Sequence, residues 1–242
     1  PQLHPSRDGR HSPIEGVVLT NADVDHVAGL LTLRESQPLM LYATERVQSV
    51  LAANAVFNVL NPSFVARRAV AMGEPSPLVR PDGSDSGLEV EIFPVPGKVA
   101  LWLEDADAGD NFGTAEGDTV GLRVRQTGTD TEFYYIPGCA RLSPELAARL
   151  EGARLVMFDG TLWQDREMID AGLGVKTGQR MGHMSMSGPE GTLAAFRDLA
   201  IERKMFIHLN NTNPVLLADS PERAAVEQAG WMVAQDGMEI AL

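Results

Sequence analysis

Leu19-Thr20-Asn21-Ala22-Asp23-Val24-Asp25-His26-Val27-Ala28-Gly29-Leu30 decides how this chain folds. Residues 16–20 are a short apolar run ending in a polar residue, the pattern of a buried strand that stops at a loop, and residues 27–33 have helical character. Asn21, Asp23, Asp25 and His26 therefore gather where a strand gives way to a helix, which is where α/β folds place their sites. The turn breaks the up-and-down alternation of the strand, so Asp25 and His26 can face one metal ion although they are adjacent. The same residues also suit a plain turn, with Asn21, Asp23 and Asp25 as turn and capping groups and His26 in the first helical turn. Both readings stand at this point.

Outward from this segment, strands are expected over residues 39–43, 88–94, 99–103, 119–125, 132–136, 155–158, 204–209 and 238–242. Helices are expected over residues 45–54, 144–150, 187–200 and 220–229. Ser143 and Ser220 each precede a proline and so pair an N-cap with Pro at the first helical position. Residues 73–87, rich in Pro, Ser and Asp, and the acidic, glycine-containing residues 104–118 read as ordered surface loops or lids. Strands alternate with helices, but several strands are consecutive in the middle of the chain. That order favours an α/β sandwich with a mixed sheet over a purely parallel doubly wound fold. With no internal repeat and no long linker, a single domain is expected over residues 1–242.

Further chemistry-bearing groups sit at other strand ends. His208 closes an apolar run and is followed by Leu209-Asn210-Asn211-Thr212-Asn213-Pro214. His183 lies in Met181-Gly182-His183-Met184-Ser185-Met186-Ser187-Gly188, between glycines and hydroxyls ahead of a helix. Asp159 ends the run before Gly160-Thr161-Leu162-Trp163, and Cys139 follows Tyr134-Tyr135-Ile136-Pro137-Gly138. His4 and His11 fall instead in the polar N-terminal stretch. Taken singly, His183 and His208 also fit structural histidines.

The 242 residues carry 33 acids against 20 Lys and Arg, a formal net charge of −13, with 44% hydrophobic and 22% charged residues. This is globular composition, and its acidity disfavours nucleic acid and anionic membrane surfaces as partners. Apolar runs fall well short of the roughly 20 residues of a spanning helix. The single cysteine excludes an internal disulfide or a multi-cysteine zinc knuckle and fits a reducing, cytoplasmic setting. Pro1-Gln2-Leu3-His4-Pro5 has neither Met nor a signal pattern and is read as a processed, disordered or truncated start.

Thr20-Asn21-Ala22-Asp23-Val24-Asp25-His26, followed by Ala28-Gly29-Leu30, resembles the T-H-x-H-x-D-H signature of the metallo-β-lactamase superfamily. Residues 159–163, 181–188 and 207–214 then resemble the coenzyme PQQ biosynthesis protein B family, and the similarity runs along essentially the whole chain. The resemblance implies a metallo-β-lactamase-like αββα sandwich with mixed sheets. Family members carry further N-terminal strands with a Cys-rich, zinc-binding segment that this sequence is expected to lack, so a structural zinc is expected only in that missing part.

Departures from the superfamily signature carry the mechanism. Asn21 and Asp23 stand where hydrolases of the fold have their first two histidines, Lys98 stands at the third, and Cys139 stands at the bridging carboxylate. A dinuclear zinc hydrolase needs several neutral imidazoles and a bridging acid, so ordinary β-lactam or phosphodiester hydrolysis is disfavoured. Asp25, His26 and His208 remain, the two-histidine, one-carboxylate set of mononuclear non-heme iron(II) oxygenases. Asn21 and Asp23 would bind the metal weakly or orient a ligand from behind.

The family implies iron- and O2-dependent hydroxylation of a tyrosine-derived ring in a cross-linked Glu–Tyr precursor of pyrroloquinoline quinone (PQQ). Zinc or manganese can occupy the same donors. His183 and Asp159 are candidates for proton transfer or for holding polar groups of the substrate, or for a structural role. Lys98 and Arg180 are candidates for pairing with substrate carboxylates, Arg180 with bidentate geometry. The alternatives are a carrier of PQQ or its precursor on a degenerate hydrolase scaffold, and a zinc hydrolase with an altered ligand set. A homo-oligomer is compatible with all three.

Overall fold

β1 (Gly16–Val18) and β2 (Leu39–Ala43) run parallel, with Val17 opposite Leu41, and β3 (Val65–Ala69) adds a third parallel strand on the far edge of β2. The computed structural model describes residues 11–34, 36–109 and 111–242; the N-terminal expectations, His4 among them, lie outside the described residues. Flanked on both edges, β2 is buried at all five positions, which is why it reads as a continuous apolar run. The chain divides into two compact units, Pro1–Pro94 with Lys98–Asp130, and Val95–Gly97 with Thr131–Leu242.

In the first unit, β1 leads into the single-turn α1 (Val24–Val27) and a 3-10 turn over Ala28–Leu33. α2 (Glu45–Ala53) starts at Thr44, whose hydroxyl accepts from the Val47 N–H, and buries Val47, Val50 and Leu51 at helical spacing. These side chains join Leu30, Leu41 and Phe57 in the core of this unit. β4 (Pro75–Val79) and β5 (Asp85–Pro94) form an antiparallel hairpin, and β6 (Val120–Gln126) pairs antiparallel with β5.

Much of residues 73–87, expected to be a loop, is thus strand. Pro75 and Pro77 disguise it, because an edge strand tolerates residues that cannot donate. Residues 99–103, expected to be a strand, instead place a 3-10 turn at Leu101–Leu103. There the Leu101 N–H and the Trp102 indole bond back to the Asp23 side chain and the Ala22 carbonyl. β3 carries two arginines in Val-Ala-Arg-Arg-Ala and gave no apolar signal.

The second unit holds β7 (Glu132–Ile136), β8 (Leu155–Asp159), β9 (Arg203–Ile207) and β10 (Trp231–Val233), parallel and adjacent in that order. The crossovers carry α3 (Pro144–Leu150), α4 (Glu167–Asp170), α5 (Gly178–Met181), α6 (Thr192–Ala195) and α7 (Pro221–Gln228). α3 and α7 start at Ser143 and Ser220, each capping through its hydroxyl.

The long helix expected over residues 187–200 shrinks to α6. Its approach turns tightly through Gly188 (φ 89°) and Gly191, where a side-chain carbon would lie 2.1 Å from the Ser187 carbonyl oxygen. Residues 238–242 form no strand, and β10 closes the sheet instead. Phe196 is wholly buried, edge-on to Phe158 (4.7 Å between ring centres) and to Trp231 (5.3 Å), and Trp231 stacks on Phe206 at 4.1 Å. Phe196→Ala is expected to cost about 3–5 kcal/mol, read as a lower urea midpoint at unchanged slope.

Candidate functional site

β8 ends on Asp159, a carboxylate with no exposed surface, at the C-terminal edge of a parallel sheet. The next residue must be Gly160. Its N–H donates to the Ile207 carbonyl at 2.8 Å, and a Cβ there would sit 3.0 Å from both the Ile207 oxygen and the Phe206 Cβ. Asn213, also buried, locks this corner by donating to the Gly160 carbonyl at 2.8 Å while its own oxygen accepts from the Val215 N–H.

Four donors converge on Asp159. The Thr161 N–H (3.0 Å) and hydroxyl (2.6 Å) reach Oδ1, and the Cys139 N–H (2.9 Å) and His183 Nδ1 (2.7 Å) reach Oδ2. Burial pushes the Asp159 pKa up. The His183 charge, the hydrogen bonds from His183 and Thr161, and the more distant His208 outweigh it, and the net pKa lies below the ordinary 3.8. An ionised carboxylate only accepts, so His183 Nδ1 carries the proton of that bond. With its lone pairs filled, Asp159 is suited to holding imidazoles rather than to binding a cation itself.

His183 follows α5, which ends at the left-handed Gly182 (φ 89°). His208 follows β9 and itself adopts φ 56°, a conformation that costs about 1 kcal/mol or more for a residue with a side chain. Its Nδ1 lies 2.7 Å from the Thr161 hydroxyl, which is also 3.1 Å from His183 Nδ1. The two imidazoles stack with centres 5.3 Å apart and planes 20° off parallel. One ligating atom each from Asp159, His183 and His208 lies within 4.8 Å of the others. Cys139 is buried, its Sγ donates to the Arg141 carbonyl, and burial pushes its thiol pKa up to about 12, so it stays a neutral thiol. Arg180 is half-buried on α5.

In the first unit, Asn21 is buried and its Oδ1 accepts from the Asp23 N–H at 2.9 Å, making an Asx turn. Asp23 precedes α1 without capping it. Its Oδ1 accepts from the Leu101 N–H (2.8 Å) and its Oδ2 lies 3.5 Å from Lys98 Nζ, which is also 3.9 Å from Glu104. Asp25 is exposed. His26 is mostly covered, with Nδ1 3.4 Å from the Thr20 hydroxyl and Nε2 3.9 Å from Asp25 Oδ2. The structure thus places Asn21 and Asp23 in one turn with Lys98 against Asp23, Asp25 beside His26, and Asp159 with His183 and His208. Thr161 and Asn213, central to the second group, were not singled out in the sequence. A hydroxyl two residues after a strand-ending Asp is the one signal that points to Thr161.

A family model described as beta-lactamase superfamily domain matches residues 1–209. Coenzyme PQQ synthesis protein B of Bradyrhizobium diazoefficiens is 52% identical over 100% of this chain and 78% of its own length. That of Gluconacetobacter diazotrophicus is 53% identical over 99% of the chain and 77% of its length. This chain belongs to the coenzyme PQQ synthesis protein B family. The crystal structure of zinc-bound PqqB from Methylobacterium extorquens superposes with a TM-score of 0.89 at 50% identity, over 100% of this chain and 78% of that one. The fold is therefore the metallo-β-lactamase fold, and the zinc-bound relative together with the neighbouring imidazoles of His183 and His208 supports a metal site in this family member. Among the described residues, no helix is long and apolar enough to cross a membrane.

Asp159→Asn puts an amide N–H2 against converging donors and is expected to cost about 1–3 kcal/mol at neutral pH, measured by urea unfolding. Because the folded pKa of Asp159 is depressed, the carboxylate's contribution is complete above its unfolded value near 3.8 and fades as the pH falls through the lower folded value. The gap between parent and variant should therefore narrow in acid. Cys139 should resist an aromatic disulfide reagent at pH 8 in the native protein and react fully after denaturation, as followed by absorbance.

Proposed function

We propose that this member of the PQQ synthesis protein B family is an iron(II)- and O2-dependent oxygenase that hydroxylates the tyrosine-derived ring of a cross-linked Glu–Tyr precursor. The observation that carries the reading is the donor set. Asn21, Asp23 and Lys98, at positions where hydrolases of the fold have histidines, are engaged with their own turn, with the Leu101 N–H and with one another. Asp25, His26 and His208 are then the proposed ligands, two imidazoles and one carboxylate, a set that fits a divalent ion with positions left over.

Bound iron(II) would supply the site at which O2 is taken up and activated. The chain's residues do the rest. Asp159 and Thr161 fix the imidazoles of the second unit, and His183 Nε2 holds or passes a proton at the substrate. Lys98 and Arg180 are the cations proposed for a carboxylate-rich ligand. Hydroxylation of a C–H bond by O2, with the second oxygen leaving as water, consumes two electrons, which an added reductant such as ascorbate provides in the assay.

The test is anaerobic iron(II) loading of the protein followed by oxygen consumption with the tyrosine-derived precursor. Iron-dependent uptake coupled to hydroxylated product is expected, with Asp25→Ala and His208→Ala lowering the rate at least 100-fold. No uptake with iron, manganese or zinc, alongside retained binding of PQQ, would replace the oxygenase with a carrier. Ester or phosphodiester cleavage with zinc, indifferent to O2, would replace it with a hydrolase.

A further inference from the structure

Thr161 has one hydroxyl proton, and its neighbours decide where that proton goes. Oδ1 of Asp159 lies 2.6 Å from the hydroxyl oxygen, and an ionised carboxylate accepts but does not donate. The hydroxyl must therefore donate to Asp159. Its remaining capacity is to accept, and His208 Nδ1 lies 2.7 Å away on that side. A nitrogen facing an oxygen that has already spent its proton can only be a donor, so Nδ1 of His208 carries a hydrogen, and in the neutral ring Nε2 carries the lone pair.

We infer that Thr161 is a positioning residue: a proton-ordered relay, His208 Nδ1–H to Thr161 Oγ1–H to Asp159, locks His208 in the tautomer and orientation that present Nε2 as the metal-binding atom. His208 also holds a left-handed backbone, φ 56°, the kind of local cost that persists only where the surroundings fix the residue. His183 reaches the same carboxylate directly. A single buried acid thus orders both imidazoles, one at first hand and one through a hydroxyl. Thr161 is itself largely buried, as a fixed relay requires, and its methyl group makes Val a close match in shape.

The inference rests on His208 being a metal ligand, and the two claims fail separately. Nitrogen-15 imidazole NMR of the metal-free protein at pH 8 reads the tautomer of each histidine, with His208→Ala assigning the resonance. The parent should show His208 with hydrogen on Nδ1. Thr161→Ser, which keeps the hydroxyl, should show the same, whereas Thr161→Val should show a tautomer mixture. Zinc affinity, measured by calorimetry on the full chain, should fall about 10- to 100-fold in Thr161→Val and stay within about threefold of the parent in Thr161→Ser.

A parent His208 with hydrogen on Nε2 overturns the relay, and so does a Thr161→Val protein that keeps both the tautomer and the zinc affinity. If Thr161→Val does not fold, the parent and the Ser variant still decide the matter by NMR. A His208→Ala protein that binds zinc as tightly as the parent would remove His208 from the ligand set while leaving the tautomer assignment intact.

Discussion

A carboxylate with no contact to solvent raises the free energy of the fold by several kcal/mol unless its lone pairs are met, and Asp159 meets that condition from four directions. The four donors come from the loop after β7, the loop after β8 and the segment after α5. One buried charge therefore fixes where three separate stretches of the second unit end. The close passage of β8 against β9 at Gly160 and the clamp from Asn213 are what allow the acid to be buried without losing its partners. His183 and His208 are held by this arrangement, one directly by Asp159 and one through the Thr161 hydroxyl, and their rings stack on each other.

The first unit shows the opposite use of polar residues. Asn21 and Asp23 resemble ligand positions of the superfamily by their place in the motif, yet their oxygens are committed to backbone N–H groups of the same turn and of the Leu101 turn. Lys98 adds a cation against Asp23. The oxygens of Asn21 and Asp23 are thus engaged within this unit rather than presented to a metal ion. The contrast separates two uses of polar residues in this fold: side chains near the first strand end are spent on their own turn, and the imidazoles of the second unit are held by a buried acid.

The sequence made legible what depends on neighbours in the chain. β2, β8 and β9 announced themselves as continuous apolar runs, and Asp159, His183 and His208 as polar groups where such runs or loops end. Ser143 and Ser220 marked α3 and α7 through cap and proline together. What stayed hidden depends on partners distant in sequence. β4 needs β5 beside it before its prolines make sense as an edge. β3 gains its place only from β2, since its two arginines break the apolar pattern. Residues 99–103 looked like a strand because they are apolar, but their role is to cover the turn around Asp23. Thr161 was invisible as a relay because nothing local distinguishes a turn hydroxyl from one that bridges an acid and an imidazole.

The bond from Thr161 to His208 joins residues 47 apart in sequence, and those from Asp159 to Cys139 and His183 span 20 and 24. Parallel strands offer no hairpin by which such a set could form early, so loop-closure entropy must be met before any of these bonds exists. On a ribosome, the acid and both of its imidazoles can come together only after the chain has grown past residue 208. The ordered pair of imidazoles is thereby a late product: until residue 208 has joined the sheet, Asp159 and Thr161 have no second ring to hold. Sheet formation precedes the ordering of both rings, and that order is written into the spacing of the residues.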